Sequence, residues 1–148
     1  MSEAAPTYIE RIQRDDLKDK ALTAIVKWNG DEGDANEAIR AALLTVIAEL
    51  QEARKDLSAT DRTKGCVPRL IIDMSNRDFI GANTIELLYR VLNRLRPDGE
   101  LHLVGMQKYP MEVAALASLD KSGHATIVSL DQWVKDQNEK QLPSRAVV

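Results

Sequence analysis

The chain predicts a single α/β domain: a mixed, mostly parallel sheet of four or five strands covered by about four helices. Three observations lead there. Strand-like apolar runs alternate with amphipathic helical stretches, the pattern of βαβ units joined by right-handed crossovers. Leu70, Ile71 and Ile72 form a continuous apolar run, which suits a strand covered on both faces. At 148 residues the chain suits one domain with a genuine core and is short for two.

The elements follow in order. Residues 1–7 and 137–148 are polar enough to read as flexible tails around a domain at 8–136. Tyr8 to Arg14 reads as a short first strand. Leu22 to Trp28 mixes β-branched and apolar residues, and the turn-rich stretch Asn29 to Asp34 ends it. Asp34 with Glu37 reads as a capping box for the first helix. Ile39, Leu43, Val46, Ile47, Leu50 and Leu57 then recur at helical spacing. Burying such a stripe contributes on the order of 10 kcal/mol before chain entropy is subtracted.

A polar loop leads to the 70–75 strand, and Asn83 with Glu86 reads as the capping box of the second helix. Its buried stripe is Ile85, Leu88, Val91, Leu92 and Leu95, with Glu86 and Arg90 spaced for an ion pair. Arg90, Arg94 and Arg96 lie late in the helix, where cations suit its dipole. Arg96 to Gly99 closes the helix, and Leu101, Leu103 and Met106 belong to the next strand. Pro110 reads as the first residue of a third helix, Met111 to Leu119. Ala125 to Val128 is the last strand. Ser129 with Gln132 reads as the capping box of a helix carrying Trp133 and Val134.

Composition narrows the function. Apolar residues make up 44% and charged residues 29%, an ordinary soluble balance. A net charge of −3 offers no electrostatic reason to expect nucleic acid, and six aromatics are too few for a base-stacking platform. Cys66 is alone, so neither an internal disulfide nor a cysteine zinc cluster is expected. No apolar run approaches the roughly 20 residues that span a bilayer, and the polar start is unlike a secretory signal. These features point to a cytoplasmic protein with no membrane insertion, metal or cofactor.

Asp73, Ser75, Asn76 and Asp78 cluster where the 70–75 strand ends. Two carboxylates and a hydroxyl are also the donor types of a magnesium or acid–base site. Turn-capping is the favoured explanation, because no glycine-rich phosphate loop accompanies them. His102 is expected to be a half-exposed strand residue, and His124 a loop residue too distant in sequence for a paired metal site. Lys64 and Arg62 near Cys66 would favour its thiolate, yet a single loop thiol is usually incidental.

Asp73, Met74, Ser75, Phe79, Gly81, Ala82, Asn83, Thr84, Ile85 and Leu88 also lie on a known motif, D-L-S-x-x-x-F-x-D-S-S-G-L-x-x-L. The segment resembles the STAS domains of anti-sigma factor antagonists. The likeness continues through Leu95 to Met106, which ends like the family's L-V-G strand, and extends from about Leu22 to Asp136. It implies a non-enzymatic regulatory module. Its partner would be a kinase-like anti-sigma factor or a sibling STAS protein, met through the turn 75–84 and the helix that follows. Ser75, Asp78, Gly81, Ala82, Asn83 and Thr84 are the contact residues it implies.

The departures matter as much. The family's phosphorylated serine falls at Asn83, the serine before it at Ala82 and its acidic residue at Gly81. Thr84 and Ser75 are the remaining candidates for phosphorylation. A non-switching scaffold role, in a STAS signalling assembly or beside a lipid transporter's ATPase, stays open, as does a homo-oligomer. So does a small-ligand-binding or enzymatic domain using Asp73, Ser75, Asp78 and His102.

Overall fold

The computed structural model describes residues 9–12, 23–29, 37–55, 68–77, 80–95, 99–118 and 125–138. Five strands form one sheet in the order β1-β2-β3-β4-β5. They are β1 (Ile9–Ile12), β2 (Thr23–Trp28), β3 (Arg69–Asp73), β4 (Glu100–Met106) and β5 (Ala125–Ser129). β1 pairs antiparallel with β2, and all later pairs are parallel. The helices are α1 (Glu37–Lys55), α2 (Ala82–Leu95), α3 (Lys108–Leu116) and α4 (Leu130–Asn138). The expected class and topology therefore hold.

The two sheet faces bury different partners. Ala24 and Val26 of β2, Leu70 and Ile72 of β3, and Leu101 and Leu103 of β4 share one core with the apolar stripes of α1 and α2. Ile25, Ile71 and Val104 point the other way and pack with Trp133 of α4. That second layer explains why Leu70, Ile71 and Ile72 are all fully buried. It also corrects His102. β4 lies between β3 and β5 with residues 101–106 all buried, and His102 is only 1% exposed instead of half-exposed.

Helix starts move at α2 and α3. α2 begins at Ala82, because the Ile85 N–H donates to the Gly81 carbonyl at 3.1 Å. Gly81 is therefore the N-cap, and Asn83 is already the second helical residue. Glu86 does not complete a capping box; it pairs forward with Arg90 at 2.9 Å, as its spacing predicts. α3 starts at Lys108, two residues before Pro110. Pro110 still falls in the first turn, where a missing N–H is harmless. At α4 only half the expected box forms. Ser129 Oγ accepts from the Gln132 N–H at 3.2 Å, whereas the Gln132 side chain donates forward to Asp136 at 2.9 Å. α4 also includes Gln137 and Asn138, which the sequence places in the tail. Asp34, Leu57, Cys66, Asp78, Phe79, Arg96 and His124 lie outside the described residues, as do 1–7 and 139–148.

α1 and α2 are tied at their ends. Gln51 Nε2 donates to the Arg94 carbonyl at 2.7 Å, satisfying one of the carbonyls that a helix end leaves open. The Gly99 N–H closes on the Leu95 carbonyl at 2.6 Å, and a Cβ at Gly99 would sit 2.7 Å from that oxygen. A side chain there would force the turn apart.

Candidate functional site

The carboxyl end of β3 is held by bonds from three directions. Asp73 Oδ1 accepts from the Ser75 N–H at 2.9 Å, and Oδ2 accepts from the Trp133 indole N–H at 3.2 Å. The Arg77 N–H donates to the Met74 carbonyl at 2.9 Å, closing a turn over residues 74–77. From β4, the Val104 carbonyl accepts from the Met74 N–H at 2.8 Å. Gln107 Nε2 donates to the Ser75 carbonyl at 3.0 Å. From β2 and β1, Asn76 Nδ2 donates to Asn29 Oδ1 at 3.0 Å, and Asn29 Nδ2 donates to Glu10 Oε2 at 3.1 Å. Arg77 is buried with its guanidinium 5.2 Å from the Trp28 ring centre, a cation–π stack.

Gly105 makes this convergence possible. Leu103 pairs with Ile127 and Met106 with Ser129, so β4 carries one residue more than β5 over that interval. This is a β-bulge, and Gly105 takes φ +70 within it. A Cβ at Gly105 would lie 3.1 Å from Asp73 Oδ1, from Ser75 Cβ and from Trp133 Cδ1 alike. Glycine thus meets both demands, a left-handed backbone and close approach.

The start of α2 differs. Ala82 and Asn83 are exposed, Gly81 is half-buried, and the first turn contains no acidic residue. Glu86 and Arg90 continue the exposed face. Thr84 corrects an expectation. It lies on the buried stripe with Leu87, Leu88, Val91, Leu92 and Leu95 and is 0% exposed, so it offers no hydroxyl to a partner or a kinase. The earlier helix start rotates it inward. Leu87 joins that core too, and Ile85 is only partly buried.

The arrangement favours turn-building over catalysis at Asp73 and Ser75. Both Asp73 oxygens and both Ser75 backbone polar groups are engaged. His102 sits in mid-strand beside Ile71 and Thr126, with Nε2 3.6 Å from Glu100 Oε1, away from the turn. Among the described residues no group of His, Cys, Asp and Glu is placed to hold a metal. No helix among them is long and apolar enough to cross a membrane. A cleft of about 520 Å³ opens beside the turn between the starts of α3 and α4, with Met106, Met111 and Leu130 among its lining residues.

Sequence reasoning missed Trp133, Gln107, Asn29 and Glu10 as parts of this network. The one available signal was Gly105, since an isolated glycine inside an apolar strand marks a bulge or a close backbone approach.

A family model for the STAS domain matches residues 15–136. Among solved structures, an anti-sigma-factor antagonist (STAS) domain protein from Planctomyces limnophilus is similar with a TM-score of 0.53 and 19% identity. The match covers 84% of this chain and 92% of that one. A candidate anti-sigma factor antagonist from Thermotoga maritima aligns with a TM-score of 0.47 and 11% identity, over 87% and 92% of the two chains. At such identities the likeness to the first speaks for the fold. No curated protein matches the chain in sequence.

Proposed function

The chain belongs to the STAS domain family, and from that premise we propose that it is a regulatory protein–protein interaction module resembling an anti-sigma factor antagonist. It acts in the cytoplasm by occlusion and catalyses no reaction. Its partner is a kinase-like anti-sigma factor or a sibling STAS protein. The contact surface is the segment 75–84 and the start of the helix that follows, with Ser75, Asp78, Gly81, Ala82 and Asn83 as contact residues and Thr84 buried beneath them.

The observation that carries this reading is the exposure of Ala82 and Asn83 at the start of α2, a few residues after a turn held by bonds involving Asn29, Val104, Gln107 and Trp133. A preformed surface loses less conformational entropy on binding. Asn83 stands where the family carries its phosphorylated serine, and a carboxamide cannot form a phosphoester. The surface therefore stays in its binding-competent, unmodified form. With Thr84 buried, half-buried Ser75 is the remaining one of the two candidate hydroxyls.

Asn83→Asp tests the surface. An aspartate in the first helical turn is compatible with the fold and gains a few tenths of a kcal/mol from the helix dipole. Its charge imitates a phosphoserine. In co-purification from source-cell lysate, wild type should retain an ATPase-like kinase or sibling STAS proteins, and the variant less of them. Equal retention by both would remove Asn83 from the contact. The same asparagine also suits a non-switching scaffold, and a large stable assembly on sizing would favour that role.

A further inference from the structure

We propose that Trp133 and Asp73 are positioning residues: their hydrogen bond is a latch through which α4 sets the shape of the recognition turn at 74–77. The inference rests on the reading of that turn as a partner surface, and extends it to a helix that lies on the opposite face of the sheet from α1 and α2.

The geometry is specific. Trp133 is 5% exposed and packs on Ile25, Ile71 and Val104, so its ring is fixed by the sheet. Its indole N–H then has one direction to point, and it meets Asp73 Oδ2 at 3.2 Å. The same carboxylate uses Oδ1 to hold the Ser75 N–H at 2.9 Å. Asp73 therefore transmits the position of an α4 side chain to the first amide of the turn. Nothing in packing alone requires this. A phenylalanine ring would fill most of the Trp133 site, whereas the indole N–H is what orients the carboxylate.

The bulge supports the same conclusion. An ordinary residue at 105 would intrude on Asp73, Ser75 and Trp133 at once, at 3.1 Å from each. The extra residue and the left-handed glycine leave the space in which the three meet. Gln107, just beyond the bulge, fixes the Ser75 carbonyl from the other side. Both polar backbone groups of Ser75 are thus set by side chains, one of which answers to α4.

α4 is also placed to sense events outside the turn. Its first residues, Leu130 and Asp131, line the cleft of about 520 Å³, and Trp133 follows within the same helical turn. Movement of α4 that withdraws the indole would release the Asp73 carboxylate and loosen the turn while the sheet stays intact.

The test is Trp133→Phe in the full chain, read by amide hydrogen exchange and chemical shifts in the free protein. Loss of the latch should speed exchange at the Ser75 amide on the order of tenfold, the scale of one hydrogen bond to a charged group. Shifts should move at Ser75, Asn76 and Arg77, while Leu70 and Leu103 keep their protection. Asp73→Asn is the second variant, and it should move the Trp133 indole N–H resonance. Unchanged turn amides in Trp133→Phe would overturn the latch. So would a loss of protection shared equally by Leu70 and Leu103, which would mean that the indole serves general packing. Neither readout needs a partner, so failure of the latch is separable from failure of the surface, which Asn83→Asp reports.

Discussion

The end of β3 and the start of α2 lie a few residues apart and are built on opposite terms. At Asp73 to Ser75 the polar groups are turned inward and engaged by the indole of Trp133, the amide of Gln107 and the turn's own backbone. At Ala82 and Asn83 the side chains face solvent, and the cap is a glycine with no side chain at all. The more reactive-looking residues are thus bonded into the turn, and the plainer ones are exposed. Chemical type says what a residue is able to do, but its existing partners decide whether it is still available to do it.

The contrast is broken most severely by Asp73→Ala. It leaves the Ser75 N–H and the buried indole N–H without their acceptor, and should cost about 3 kcal/mol in urea unfolding. A cost below about 0.5 kcal/mol, typical of an ordinary surface change, would contradict the scaffold role. Gly105→Ala should follow at about 1–3 kcal/mol, from left-handed strain together with crowding against the same three residues. Thermal melting would read it, and an undiminished midpoint would show that the bulge tolerates a side chain. On the α2 side, Glu86→Gln removes only an exposed ion pair and should change stability by a few tenths of a kcal/mol. A loss above about 1 kcal/mol would mean that this face is not the permissive surface described.

Much of the frame was legible because it rests on periodicity. The α1 stripe Ile39, Leu43, Val46, Ile47 and Leu50 and the apolar run of β3 are buried as their spacing requires. What failed depends on neighbours remote in sequence. His102 looked half-exposed because alternation along one strand cannot reveal a covering layer on the second face. Thr84 looked available because the cap was sought at Asn83, a favoured capping residue, whereas the backbone caps the helix two residues earlier, at Gly81. Trp133 and Asp73 are 60 residues apart, and no local spacing rule joins them. The sequence therefore pointed to this strand end as the candidate site, while which of its side chains are buried or bonded and which are exposed came only with the tertiary contacts.

The central claim is that Asn83 belongs to the recognition surface and not to the scaffold. The most direct measurement is the dissociation constant of the co-purified partner for wild type and Asn83→Asp, taken alongside their urea midpoints. The account predicts at least about a tenfold weaker complex, equivalent to about 1.4 kcal/mol, with midpoints that agree. Equal dissociation constants, or a weakening matched by a loss of stability, would contradict it.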